Sequence, residues 1–250
     1  MKYRILVLLL LVYNLSSAQN DLDKTEIANI QKLIRLFQTN DVGEITKIIS
    51  YPLEREYPIP AVRNEAELKR RFNQIFDKKI IDEISNSKID QWSEVGWRGI
   101  MMNRGDLWIE SNGKIKALNY QSDFEANQKQ SLIDNDKKKL YSALKVFKVP
   151  VYKFNTKNYL IRIDELSNGK YRYASWKLGK SETSKPDLIL VNGELQFEGS
   201  GGNHTITFKK GEFYYKIYRG IIGVKDAAQI SLTVEQNEKV ILQQDGKFVE

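Results

Sequence analysis

The second half of the chain constrains the fold most, because apolar and polar residues alternate over almost every segment between residues 146 and 250. A period of two places successive side chains on opposite faces of a β-strand. Turn-favouring pairs interrupt the alternation at Asn168-Gly169, Asn192-Gly193, Lys210-Gly211 and Asn237-Glu238. Leu188–Val191 and Leu195–Glu198 are thus two predicted strands with a turn between them. Short strands with regular turns predict an all-β sandwich or barrel.

The first half has a different pattern, in which an Asp or Asn is followed three residues later by Glu ahead of an apolar run with helical spacing. This capping signal predicts helix starts at Asp23, Asp41 and Asn64. Further along the chain, alternation predicts strands at Val95–Met102, Leu107–Glu110 and Ile115–Tyr120, with a hairpin turn at Asn112-Gly113. Helices on a curved antiparallel sheet define an α+β domain over residues 19–120.

A polar stretch separates the two patterns. Residues 121–145 are rich in Gln, Asn, Asp and Lys and have few apolar residues. Such a composition is typical of a linker. The predicted order is an α+β domain over 19–120, a linker over 121–145 and an all-β domain over 146–250.

The first eighteen residues have the pattern of a secretory signal peptide. Lys2 and Arg4 precede an apolar run that is much shorter than the roughly 20 residues a membrane-spanning helix needs. Small residues before Gln19 predict cleavage at that point. We therefore expect a periplasmic or secreted bacterial protein that has no integral membrane insertion after cleavage.

The residue types that are rare or absent exclude several chemistries. The chain has no Cys and one His, His204, so Cys-based zinc sites, His-rich metal sites, Cys nucleophiles and disulfides are excluded. No cofactor motif is present, because the glycines near residue 200 lead into a strand pattern rather than a helix that could hold phosphate. We expect neither a metal nor a cofactor.

The net charge of +7 limits the partners. Basic residues outnumber acidic ones in residues 146–250. In this region Tyr171-Arg172-Tyr173 combines aromatic and basic side chains, the two types that commonly bind nucleic acids. Export makes nucleic acid an improbable partner. An unknown small molecule, an anionic glycan or an envelope protein remain as candidate partners.

Two sets of residues are candidate ligand-binding sites. The first consists of aromatic and long side chains on the predicted strands of the α+β domain: Trp92, Trp97, Arg98, Met101 and Trp108. An open sheet could enclose an apolar pocket there. An enzyme would place Glu94, Asp106 or Arg98 in that pocket. The second set is the segment Ser200, Gly201, Gly202, Asn203 and His204, whose glycines allow a partner to approach the backbone closely.

Three resemblances follow from these segments. Tyr51-Pro52-Leu53, the helix after Asn64 and the strands from Gly99 to Ile109 resemble the NTF2-like, cone-shaped α+β superfamily, which contains enzymes and binding modules. Tyr171-Arg172-Tyr173 and Phe208–Tyr215 resemble a small all-β domain of secreted bacterial proteins of unassigned activity. Ser200–Asn203 is similar to the Ser-Gly-x-x-Tyr loop of periplasmic lysozyme inhibitors, although His204 stands in place of the Tyr.

Together these features predict an exported, noncatalytic, two-domain binding protein of the bacterial cell envelope. The two alternatives are a lysozyme-inhibitor-like protein that acts through Ser200–His204 and a small-molecule enzyme that uses the pocket of the first domain.

Overall fold

The structure, a computed structural model, describes residues 22–223 and 227–249. The chain divides into two compact units, which we call the helical unit (Met1–Leu53 and Arg63–Tyr120) and the barrel unit (Glu54–Val62 and Gln121–Glu250). The predicted signal peptide, residues 1–18, lies outside the described residues. Within the described ranges, no helix combines the length and the apolar composition needed to cross a bilayer.

From residue 22 onward, the helical unit contains four α-helices: α1 (Lys24–Gln38), α2 (Val42–Lys47), α3 (Glu65–Ile75) and α4 (Lys78–Ser85). Each begins after an Asp or Asn whose side chain accepts a hydrogen bond from the backbone N–H three residues further on. These N-caps are Asp23, Asp41, Asn64 and Asp77, so the three predicted helix starts are confirmed.

A four-stranded antiparallel sheet completes this unit, with strands β1 (Trp92–Glu94), β2 (Ile100–Met102), β3 (Leu107–Ile109) and β4 (Ile115–Leu118) in sequential order. The predicted strand at Val95–Met102 is shorter than expected, because Gly96–Arg98 forms a 3₁₀ turn. The predicted hairpin is present, with Gly113 at φ 84° between β3 and β4. Ile100, Met102 and Leu107 bury one face of the sheet completely.

Eight antiparallel strands form the barrel unit's closed barrel, which is one of the two all-β architectures that the alternation predicts. The strands are β5 (Val149–Asn155), β6 (Tyr159–Glu165), β7 (Tyr171–Lys177), β8 (Leu188–Phe197), β9 (His204–Lys210), β10 (Phe213–Arg219), β11 (Ile230–Gln236) and β12 (Lys239–Phe248). Each pairs with the next, and β12 pairs with β5. Alternate residues such as Phe154, Ile163 and Phe208 point inward and form the core.

The predicted turn at Asn192-Gly193 is wrong, because β8 continues through it as one ten-residue strand. The first half of β8 pairs with β7, and the second half pairs with β9. The pairing partner of β8 changes from β7 to β9 directly after Gly193. A side chain at Gly193 would collide with the ring of Phe208, so glycine allows the close approach of that ring to the strand.

Helix α5 (Asp123–Lys138) occupies most of the segment for which composition predicts a linker. It belongs to the barrel unit, as do residues 54–62, and its Ile133 packs against Trp176 on the outer side of the barrel. The guanidinium of Arg55 forms a buried ion pair with Glu125, at 2.5 Å between Nη2 and Oε2. The helix is attached largely by charged groups, which explains why its sequence lacks the apolar spacing of a packed helix.

Candidate functional site

The tryptophans of the helical unit do not converge on one pocket. Trp92 is fully buried and its indole N–H donates to the Ser87 hydroxyl at 3.1 Å. Met101 and Trp108 are direct neighbours in β2 and β3, on the opposite face of the sheet from Trp92 and its partner Met102. Antiparallel partners share a face and successive residues alternate, so the register itself separates the two groups.

The remaining members of this set lie at the surface. Trp97 is 67% exposed in the 3₁₀ turn, and the guanidinium of Arg98 lies 6.0 Å from the centre of the Trp108 ring. This contact has the geometry of a cation–π pair. The structure thus brings together Arg98, Met101 and Trp108 as a surface group, while Trp92 belongs to the core.

The acids of the enzyme alternative lie at opposite ends of the same short sheet. Glu94 is exposed and pairs with Ile100, which in turn pairs with Ile109. Asp106 directly precedes Leu107, at the other end of the three-residue ladder. Paired catalytic carboxylates need to flank one bond. The register does not place Glu94 and Asp106 in that arrangement.

The glycine-rich segment is fixed to the neighbouring loop rather than free. The side-chain oxygen of Asn203 accepts hydrogen bonds from the backbone N–H groups of Ile221 and Ile222, at 2.8 and 2.9 Å. Its side-chain nitrogen donates to the carbonyl of Ile222 at 2.8 Å. Ser200 is exposed at the tip of the segment, so Ser200 and Asn203 have different environments.

His204 lies in β9 and its ring is held between two oxygens. Nδ1 donates to the carbonyl of Gly202 at 2.7 Å, since a carbonyl can only accept, and Nε2 lies 2.5 Å from the Tyr152 hydroxyl. With the proton on Nδ1, Nε2 of a neutral ring accepts from the phenol. This places the His204 side chain against the barrel wall and leaves Ser200 as the exposed part of the inhibitor-like segment.

Burial raises the pKa of the Tyr152 phenol to about 12, and nearby Arg219 opposes this rise. Between pH 10 and about 12 the unfolded chain loses this proton while the folded chain retains it, so the free energy of unfolding falls as pH rises. We expect the pH dependence of urea unfolding in this window to be weaker in Tyr152→Phe than in the wild type. Tyrosinate absorbance should show one fewer late-titrating phenol, and identical titration curves would contradict the assignment.

A cavity of about 270 Å³ lies at the end of the barrel where β6, β8, β10 and β12 begin. We call it the cup. Its wall includes Tyr159, Tyr173, Leu188, Tyr215, Leu232 and Leu242. Asp187 is the one charged residue of the lining, and its carboxylate already accepts from the Lys180 ammonium at 2.6 Å and from the Lys177 N–H at 2.8 Å. The cup thus suits a neutral molecule.

Polar groups face this apolar lining. Burial raises the pKa of Tyr215, which stays a neutral hydroxyl at physiological pH. Among the residues that the structure describes, the hydroxyls of Tyr159 and Tyr215 bond to no protein acceptor. Gln244 is not part of the lining, but it pairs with Leu232 of the cup wall and therefore shares its inward face, and its buried Oε1 has no donor among the described residues. Because buried acceptors are almost always bonded, this oxygen marks a place for a donor.

Charged side chains also cluster on the outer surface of the barrel, beneath α5. The guanidinium of Arg162 contacts Asp164 at 2.8 Å and Asp136 at 2.6 Å, while Arg172 contacts Asp164 at 2.6 Å. Arg162 and Asp164 are each 1% exposed. Apart from Nε of Arg172, the charged groups of the cluster are bonded to one another or to backbone carbonyls, and the cluster is enclosed, so it attaches α5 to the barrel and offers no opening to a ligand.

The helical unit has a larger surface groove of about 670 Å³ near Phe37 and Phe76. Its polar groups already bond to each other, as the amide of Gln38 does to the carbonyl of Ser85 at 2.9 Å. Over residues 22–223 and 227–249 no group of three or more His, Asp or Glu side chains is arranged to hold a metal ion. The cup is therefore the strongest candidate site.

Comparisons with protein-family models, curated proteins and solved structures find no match to this chain. The structure by itself defines a mixed α/β protein with a small antiparallel sheet and a closed eight-stranded barrel. The functional argument rests on the geometry of that barrel.

Proposed function

We propose that this chain is a noncatalytic binding protein that holds one small neutral molecule in the cup. The carrying observation is a cavity at the end of a closed barrel whose middle is filled by side chains such as Phe208 and Ile217. Barrels of eight strands are just wide enough to be filled in this way or to hold one small ligand. The filled core serves as the floor of the site.

The size and lining of the cup specify the ligand class. The cavity of about 270 Å³ lies just below the usual range for drug-sized ligands, which begins at about 300 Å³. Tyr159, Tyr173 and Tyr215 offer aromatic faces, and Leu188 and Leu242 offer aliphatic contact. A molecule that consists of a single ring or of two fused rings fits these dimensions.

The Oε1 of Gln244, which has no donor among the described residues, adds a polar requirement, because an amide oxygen can only accept. A ligand hydroxyl or N–H would supply the donor. The hydroxyls of Tyr159 and Tyr215 in the lining can donate or accept. We therefore assign the cup to aromatic alcohols or amines rather than to pure hydrocarbons.

The proposed location is the bacterial cell envelope or its exterior. The leader pattern of residues 1–18 supports export. A chain without cysteine has no disulfide to form there. The resemblance of the first half to the NTF2-like superfamily, and an anionic glycan or envelope protein as a second partner, remain proposals from the sequence.

The cup is tested with 2-naphthol, whose fluorescence reports transfer from water to an apolar site. We expect saturable binding to the purified chain. Leu188→Trp should abolish it, because Leu188 lines the cup and the larger side chain fills the opening. Ile189→Trp is the matched control, since Ile189 is the next residue of β8 and is 38% exposed on the outer side.

A second pair of variants tests the polar requirement. Gln244→Leu removes the acceptor and should weaken 2-naphthol binding by roughly tenfold, the usual effect of one hydrogen bond. It should leave naphthalene binding unchanged. Gln243→Leu, at the exposed neighbouring position, is the control. Equal loss of binding in Leu188→Trp and Ile189→Trp, or wild-type binding in both, would overturn the assignment of the cup.

A further inference from the structure

Arg219 lies at the end of the barrel opposite the cup, where β10 ends. It pairs directly with His204 in β9 and with Ile230 in β11. Ile217, two residues earlier, is fully buried inside the barrel. Because residues two apart share a face of a strand, the Arg219 side chain is on the inward face at this open end.

The guanidinium of Arg219 is held in one orientation. Its Nη1 donates to the carbonyls of Gly220 and Gln229, at 2.9 and 3.0 Å. Its central carbon lies 4.8 Å from the centre of the Phe248 ring. The two hydrogen bonds and the ring contact fix the guanidinium. Its Nε and Nη2 have no hydrogen-bond acceptor among residues 22–223 and 227–249.

Arg219, which is half-buried, differs from the buried arginines of its unit. Arg55, Arg162 and Arg172 each contact a carboxylate oxygen at 2.5 to 2.8 Å. Within the described ranges, no carboxylate lies at ion-pair distance from Arg219. Burial lowers its pKa, and the exposed Glu54 acts on it only through space. A partly desolvated cation without a bonded counter-ion is stabilised by an incoming anion.

The groups in direct contact with Arg219 are uncharged, and the side chains around them are mainly aromatic. Tyr152 and His204 bond to each other at 2.5 Å and form one wall. Phe197, 63% exposed, meets the His204 ring edge-on at 5.4 Å between centres. Phe248 forms the other wall, 6.0 Å from the Tyr152 ring. An anion here would meet apolar rings around a single fixed cation.

We propose that Arg219 anchors a small organic carboxylate at this end of the barrel, with Phe197 and Phe248 contacting the ligand's apolar body. A carboxylate matches the planar guanidinium, which can donate from Nε and Nη2 in parallel. The aromatic walls favour a carboxylate on a ring over a small hydrophilic anion. This site is separate from the cup and does not depend on it.

The single histidine provides the reporter. The ring resonances of His204 are unique in the chain when no histidine tag is present, so they can be followed by NMR without ambiguity. Benzoate is the probe. We expect a saturable shift of the His204 signals, with affinity reduced by roughly tenfold to a hundredfold in Arg219→Gln, as for a lost bond to a charged group. Arg104→Gln, at an exposed position of the helical unit, should bind as the wild type does.

Further variants and probes separate the effect of charge from that of guanidinium geometry and identify the type of anion that binds. Arg219→Lys keeps the positive charge but lacks the paired N–H donors of the guanidinium, so it should bind benzoate with intermediate affinity. This variant keeps the proposal testable even if Arg219→Gln does not fold. Glu54→Gln should bind benzoate more tightly, since it removes the opposing carboxylate. Neutral benzamide should not bind, and inorganic phosphate should bind more weakly than benzoate. Absence of a benzoate shift, equal affinity in the wild type and Arg219→Gln, or stronger binding of phosphate would overturn the proposal.

Discussion

Asp164→Asn should lower the free energy of unfolding of the barrel unit by about 3–5 kcal/mol, the usual cost of breaking a buried ion pair from one side. The Asp164 carboxylate is 1% exposed and bonds to Arg162 and Arg172 through different oxygens. Arg172 has no other carboxylate partner among the described residues, and its Nε is already without an acceptor there. Neutralising Asp164 leaves the buried guanidinium of Arg172 without a carboxylate among the described residues, although the carbonyls of Leu144 and Val146 still accept from it.

Urea unfolding followed by circular dichroism measures the effect, with Glu194→Gln as the control. Glu194 pairs with Lys170 at 2.7 Å, but the two side chains are 73% and 44% exposed. Exposed pairs contribute about 0–1 kcal/mol because water and salt screen them. Comparable losses in Asp164→Asn and Glu194→Gln would show that the enclosed cluster is not what secures the barrel's outer side.

The same cluster explains why the sequence did not predict α5. Ser122 caps this helix as Asp23 caps α1, and yet few of its residues are apolar. Its attachment depends on the ion pairs of Glu125 with Arg55 and of Asp136 with Arg162, whose partners are far apart in the chain. Periodicity detects an apolar face. It carries no signal for a helix that is held by buried charge.

The helix starts, by contrast, were predictable because their cause is local. Asp23, Asp41 and Asn64 each bond to a backbone N–H three residues away, so the spacing in the sequence is the geometry of the cap. The turns at Asn168-Gly169 and Asn237-Glu238 are local in the same sense, with Gly169, Asn237 and Glu238 at positive φ. Long-range closure of the barrel has no such short signature.

The candidate sites required this long-range information. Tyr159, Leu188 and Tyr215 come from three different strands and meet only because the barrel closes. The alternation at Phe213-Tyr214-Tyr215 indicates that Tyr215 shares a face with Phe213, but it does not indicate what lies across the barrel. Of the residues that form the cup and the Arg219 site, His204 is the one that the sequence placed among the candidate binding residues, and its partners Tyr152 and Arg219 are 52 and 15 residues away.

Gly193 is the clearest case in which the sequence indicates a glycine for a different reason from the one that the structure shows. Asn192-Gly193 is a typical hairpin pair, and Asn192 has φ 60°. Gly193 itself is needed for space: a Cβ there would lie 2.3 to 2.8 Å from three ring atoms of Phe208. Phe208 is fully buried in the core and the backbone on both sides is paired, so neither partner can move away freely.

Gly193→Ala should therefore destabilise the barrel by about 1–3 kcal/mol, the cost of overpacking a core, with a lower midpoint in urea. Gly220→Ala is the matched control, because its Cβ would meet nothing closer than 3.4 Å. The decisive variant is Gly193→Ala combined with Phe208→Leu, in which the smaller side chain makes room for the new methyl group. We expect the double variant to be more stable than the sum of the single effects implies, by about 0.5–3 kcal/mol of coupling. Strict additivity would mean that Gly193 is required for the conformation of the backbone itself rather than for the close approach of Phe208.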